Sequence, residues 1–267
     1  MTTSHIPRTT PPPPSYAPSV PSAAVPGVLG IREDGPVLRV DLNPAGGDTL
    51  GIAAVDQLNT LIDHLHDRPG VRVLVLSSSG DDFCLGADRA EYRAVIAADP
   101  TGASLRRAVD TARRLCQALE STHAVTIARL HGGVVGAGLA LASFCDLRVG
   151  ADDCRFRMPE VAVGLAPAWG GALGRLIAEA GAARIRELML TCDSFDAVTA
   201  QRIGLLHKVT PRDMLDEAVD DWTRPIVRRS AEALALTKNM FAGHARAHRT
   251  ADTSLLDAHL LTAQLAR

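Results

Sequence analysis

Three stretches of this sequence carry residue types that could do chemistry. DDFCLGAD (Asp81 to Asp88) and HGGVVGAGLALASFCD (His131 to Asp146) are rich in glycine and alanine, while FRMPEVAVGLAP (Phe156 to Pro167) holds a single acid, Glu160. Small residues let a chain turn sharply and let a ligand approach the main chain. A loop that then enters a helix leaves N–H groups unpaired and pointing outward, which makes an anion site. Glu160 has Met158, Pro159, Val161, Val163 and Leu165 as neighbours. Such an apolar setting can raise a carboxyl pKa toward about 6–7, where it serves as a general base near neutrality. The chemistry suggested is an anion held by backbone amides with one carboxylate beside it.

The elements around these stretches read as alternating strands and helices. Asp34-Gly35 is a turn signal between two short strand candidates. In VLRVDL, Leu38, Val40 and Leu42 alternate with Arg39 and Asp41, the period-two pattern of a strand with one wet face. GIAAVDQLNTLIDHLH reads as a helix with Val55, Leu58, Leu61, Ile62 and Leu65 on one side. VRVLVLSSS is an almost continuous apolar run, as expected of a strand buried on both faces, and it leads into the first glycine loop. A long helix is predicted from about Ala103 to Glu120, and the strand HAVTIARL leads into the second loop. Two more strands are expected around Leu147 to Val149 and Arg155 to Arg157, with only helices from Gly170 onward. That order is α/β with a helical C-terminal region.

Composition removes several function classes. A formal net charge of -2 leaves no electrostatic footprint for nucleic acid, and 3% aromatics leave little for base stacking. The longest apolar runs fall short of the ~20 residues a membrane helix needs, so no membrane partner is expected. Five scattered cysteines (Cys84, Cys116, Cys145, Cys154, Cys192) form no CxxC pair and no zinc spacing, so no metal is expected. They read as reduced, small apolar fillers of a cytoplasmic protein. Gly136 and Gly138 begin a dinucleotide-type G-x-G, but Leu141 stands at the third position. No G-x-S-x-G nucleophile elbow occurs. His64 and His66, two apart on a helix, face different sides and make a poor metal pair. Residues 1–26, with four prolines at Pro11 to Pro14, read as a disordered or polyproline tail without the apolar stretch of a signal peptide.

FCLGAD and GGVVGAGLALASFCD resemble the two oxyanion-hole segments of the crotonase (enoyl-CoA hydratase/isomerase) family. RMPEVAVGLAPAWGG resembles the stretch that holds a catalytic glutamate there, and FDAVTAQRIGLLHKVTP (Phe195 to Pro211) resembles the segment leading to the C-terminal helices. The four occur in order over roughly Val28 to Phe241. The resemblance implies a spiral of ββα units with a core over 27–205 and a helical oligomerisation region over 206–267. It implies an acyl-CoA or acyl-carrier thioester as partner, no cofactor beyond coenzyme A within the substrate, and a homotrimer or homohexamer. It makes Glu160 the acid/base and the N–H groups of Leu85 and Ala137 the pair that binds the thioester oxygen. Two preorganised amides meet the negative charge of an enolate without reorganising, each worth about 3 kcal/mol in the transition state. Substrate contacts are expected at Phe83, Gly86, Ala87 and Asp88 in the first loop, and at Gly133, Gly136, Gly138 and Ala140 in the second. Pro159, Leu165 and Trp169 are expected around the glutamate, with Phe83, Leu85, Tyr92 and Trp169 as candidates for the acyl pocket. Asp88 also fits a helix N-cap.

The departures from the family pattern narrow the reaction. Family hydratases carry two glutamates, and the second falls at Ala140; the second acid of dienoyl-CoA isomerases falls at Ala168. One carboxylate can shuttle a proton from C2 to C4, so the expected reaction is 3,2-enoyl-CoA double-bond isomerisation. Single-glutamate hydration stands as an alternative, as does a polyketide-pathway dehydratase, isomerase or decarboxylase acting on a carrier protein. A non-catalytic scaffold subunit is the alternative from another class. The loop Asn43 to Gly51 has no Lys or Arg for nucleotide phosphates. Lys238 and Phe241 match helix residues that reach coenzyme A in relatives, often across a subunit interface, although Lys238 also reads as a solvated helix charge.

Overall fold

The computed structural model of the protein describes residues 28–248 apart from 44, 46 and 100; the proline-rich tail and the end of the C-terminal region lie outside the described residues. In chain order the elements are β1 (Gly30–Asp34), β2 (Val37–Asp41), α1 (Ile52–His64), β3 (Val73–Ser77), α2 (Arg89–Ala98) and α3 (Ala103–Ser121). Then follow β4 (Val125–Leu130), β5 (Gly133–Val135), α4 (Ala137–Ser143), β6 (Leu147–Ala151) and β7 (Arg155–Arg157). The described residues end with α5 (Ala172–Ala180), α6 (Ala182–Thr191), β8 (Phe195–Asp196), α7 (Ala197–Arg202), β9 (Lys208–Thr210), α8 (Leu215–Val227) and α9 (Ala231–His248).

Two sheets hold these elements. The larger runs in the order β1-β2-β3-β4-β6-β9, parallel except for the β1/β2 hairpin. The smaller runs β5-β7-β8, with β5 parallel to β7 and β8 antiparallel to it. Val73, Leu74, Val75 and Leu76 of β3 are all buried, as a central parallel strand covered on both faces requires. Helices α1 and α3 pack together, while α8 lies against β3, β4 and β6. The stripe Leu105, Ala108, Val109, Ala112, Leu115, Cys116 and Leu119 of α3 is buried throughout. All five cysteines are buried and unbridged. No helix among the described residues is long and apolar enough to cross a membrane.

One expectation about the chain's second half is corrected: β8 and β9 both lie beyond Gly170. They are short strands whose pairing is entirely long-range, with Val149 opposite Lys208 and Phe156 opposite Phe195. The Phe156 and Phe195 rings stack at 5.4 Å. That contact anchors β7, the strand from which the Glu160 turn emerges.

Helix α4 is held at its far end by arginines. Buried Arg148 donates to the carbonyls of Ser143 (3.2 Å), Cys145 (2.9 Å) and Leu205 (2.6 Å) and to Glu179 Oε2 (2.7 Å). Arg175 Nε donates to the same Ser143 carbonyl at 2.9 Å. Cations at a helix C-terminus satisfy its free carbonyls and favour its dipole. The N-terminus of α4 therefore points from a fixed base.

Candidate active site

The two glycine-rich loops lie side by side. The amides of Phe83 and Cys84 donate to His131 O (2.9 Å) and Gly133 O (3.1 Å), and Val135 N–H returns to Cys84 O (2.9 Å). Leu50 then brackets the loop's exit, donating to Gly86 O at 2.8 Å and accepting from Asp88 N–H at 3.1 Å. Gly86 at φ +110° and Gly136 at φ +51° adopt backbone conformations that L side chains rarely occupy, and both face the same cavity. A side chain at Gly86 would begin 3.5 Å from Val135 O and 3.9 Å from Ala137 N, so the two loops meet at these amides.

Those amides differ in what they already bind. Leu85 N–H donates to Asp48 O at 2.5 Å, which corrects its expected role as a donor to substrate. The N–H groups of Ala87 and Ala137 make no hydrogen bond among the described residues, and both residues line the cavity. Ala137 opens α4, where the first amides have no intrahelical partner.

Glu160 stands across from them. It follows β7 through Pro159 and precedes a single turn of 3₁₀ helix, with its carbonyl accepting from Val163 N–H (3.2 Å) and Leu165 N–H (2.8 Å). Its Oε1 lies 3.2 Å from where a Gly136 side chain would begin. Its Oε2 is buried with no hydrogen-bond partner. Burial pushes its carboxyl above the usual range, and its own backbone amide offsets that only in part. The cavity, about 310 Å³, is walled by Leu85, Tyr92, Pro159, Val163, Leu165, Ala168 and Trp169. A smaller recess of about 20 Å³ behind Glu160 is lined by Ala140, Met158 and Trp169. At Ala140 and Ala168 the walls offer methyl groups and no second acid.

Gly86, Ala87, Gly136, Ala137, Pro159, Leu165 and Trp169 thus come together as expected. Other expected contacts do not. Phe83 is fully buried beneath the loop and belongs to the core. Asp88 caps α2, accepting from Ala90 N–H (2.9 Å) and Glu91 N–H (3.0 Å). Gly133 and Gly138 are packing positions: a side chain at Gly133 would collide with the Leu85 side chain, and one at Gly138 would begin 2.5 Å from Cys84 O. Ala140 borders only the recess. Residues the sequence reading missed are Arg89 and Arg93, on the cavity side of α2. Their spacing of four, together with Tyr92, was the available signal.

Lys238 is corrected on both expectations. It is 4% exposed, pairs with Asp146 Oδ2 at 2.7 Å and donates to Ala124 O at 2.8 Å, so it is neither solvated nor free to reach a nucleotide. Phe241, 70% exposed on the same helix, borders a separate cleft with Lys238 and Asp146. Asp146 also accepts from Thr126 N–H (2.7 Å) and its hydroxyl (2.9 Å), so the lysine closes a network that fastens α9 to β4. Lys238→Met is expected to lower unfolding stability by about 2 kcal/mol, because Asp146 loses its counter-charge while keeping two donors. Urea denaturation measures this, and an unchanged midpoint would show that the pair contributes nothing net.

Comparison with known proteins fits this geometry. The Enoyl-CoA hydratase/isomerase family model matches residues 35–266. The chain is 31% identical over 194 residues to a crotonyl-CoA hydratase of Syntrophomonas wolfei, covering 71% of each protein. It is 31% identical over 203 residues to a 2,3-dehydroadipyl-CoA hydratase of Escherichia coli K12, covering 76% of each. The crystal structure of an enoyl-CoA hydratase from Bacillus halodurans superposes with a TM-score of 0.81 at 20% identity, over 90% of this chain and 96% of that one. At that identity the likeness speaks for the fold.

Proposed function

The chain belongs to the enoyl-CoA hydratase/isomerase family, and from that premise we propose that it moves a double bond in an acyl thioester from C3 to C2 with Glu160 as its one proton carrier. The thioester oxygen sits between the N–H groups of Ala87 and Ala137. The Glu160 carboxylate takes a proton from C2, and the electron pair left behind delocalises onto the oxygen as a dienolate. Two fixed donors meet that charge where it develops. The same carboxyl then delivers the proton to C4, leaving the double bond between C2 and C3. Nothing is added and nothing leaves.

One observation carries this reading: Glu160 is the only carboxylate among the described residues lining the cavity or its recess. Hydration requires a water to be deprotonated at C3 and a proton to be delivered at C2, work that two carboxylates ordinarily divide. The raised pKa of Glu160 suits a group that must both take and return a proton. Hydration by a single glutamate is the second reading, favoured by the names of the two hydratase relatives. Purified protein is expected to isomerise 3-hexenoyl-CoA faster than it hydrates crotonyl-CoA. Robust hydration with negligible isomerisation would reverse the assignment.

A further inference from the structure

Helix α2 forms one wall of the cavity and brings Arg89, Tyr92 and Arg93 to it. Residues four apart share a helix face, so the two guanidinium groups stand one turn apart and repel each other. The helix's own acids do not relieve them. Asp88 is occupied by the amides of Ala90 and Glu91, and Glu91 accepts from Ile52 N–H at 2.8 Å. Elsewhere Arg129, Arg148, Arg175 and Arg212 each hold a carboxylate. Among the described residues, the side chains of Arg89 and Arg93 make no ion pair or hydrogen bond. The wall beside them is apolar, with Leu85, Val163, Leu165 and Trp169.

We propose that Arg89 and Arg93 bind a terminal carboxylate on the acyl part of the substrate, so that the preferred substrate is a monothioester of a dicarboxylic acid. This rests on the reading of the cavity as an acyl-thioester site. Arg89 lies two residues beyond Ala87, so its Cα is within ~7 Å of the Cα whose amide meets the thioester oxygen. A carboxylate closing a short acyl chain falls within reach of a guanidinium rooted there. The pantetheine arm, when extended, carries the phosphates of coenzyme A well beyond it. Two guanidinium groups can grip a carboxylate by charge-assisted hydrogen bonds and relieve their mutual repulsion in doing so.

Calorimetric titration of the full chain with glutaryl-CoA and valeryl-CoA, saturated thioesters of equal chain length, tests this without turnover. The wild type is expected to bind glutaryl-CoA roughly tenfold more tightly. The double variant Arg89→Gln/Arg93→Gln is expected to bring the two affinities to parity, with Arg93→Lys retaining part of the preference. Equal affinities in the wild type, or a preference that survives loss of both arginines, would overturn the proposal. So would a loss that strikes both thioesters alike and vanishes with the corresponding pantetheine thioesters, because the arginines then meet phosphate. Binding is read apart from reaction, so a failed isomerase assignment leaves the carboxylate preference intact. A protein that binds neither thioester would overturn both.

Discussion

Glu160→Gln is expected to lower kcat by about 10²- to 10⁴-fold, the range attributed to a positioned acid/base, while thioester affinity stays within a factor of about two. Glutamine keeps the shape of the side chain but cannot accept the C2 proton. Binding survives because the amides of Ala87 and Ala137 and the apolar walls are untouched. Stability should not fall either. The folded pKa of Glu160 is raised above its unfolded value by burial. Its contribution is therefore fully present below the unfolded pKa and is lost as pH rises through the folded one. At neutral pH the uncharged amide avoids that loss, so the variant should unfold no more readily than the parent. The same shift shapes the parent's kinetics. The basic form does the work, so kcat/KM should rise with pH through a pKa above 4.5 and then level off. Turnover in the variant within threefold of wild type would remove Glu160 from the mechanism.

The cavity was largely legible because its parts are local in sequence. Each glycine loop follows a strand, and Glu160 sits in a stretch whose apolar neighbours announce its setting. The assignment of the first donor failed for a non-local reason. Whether Leu85 or Ala87 shows its amide to the cavity depends on which carbonyl claims the other, and the claimant, Asp48, comes from a different loop. No periodicity in FCLGAD encodes that. Lys238 misled in the same way. A lysine on a helix reads as solvated until its partners, Asp146 and Ala124, arrive from far upstream. Strands β8 and β9 were missed because two or three residues hold no alternation to detect. They exist because β7 and β6 offer open edges. Gly133 and Gly138 were read as ligand contacts, yet the small size of each serves the neighbouring loop.

Gly138→Ala follows from that last correction and should damage the site although the backbone there accepts any residue. Gly138 is the second residue of α4 and does not need a positive φ, so alanine would by itself favour the helix by about 1 kcal/mol. Its methyl would begin 2.5 Å from Cys84 O, 2.6 Å from Cys84 Cβ and 3.0 Å from Cys84 Sγ. The first two positions are backbone or fixed to it, so no rotamer change relieves the contact. Cys84 O accepts from Val135 N–H, and Cys84 Sγ receives the Gly86 amide at 3.4 Å, so the loop moves as one piece if it moves at all. Restoring ordinary contact separates the loop from α4 by ~1 Å, and a displacement of that size can cost about 100-fold in rate. The amides of Ala87 and Ala137 sit on the two sides of that separation. Overpacking should also lower stability by about 1–3 kcal/mol. Gly70→Ala, at a site with open space around it, provides the control and should change neither property. Steady-state kinetics and urea denaturation on both variants separate the effects. Full kcat in Gly138→Ala would mean that the two donors need not be held in register, and the dienolate would then have to be stabilised by some other group.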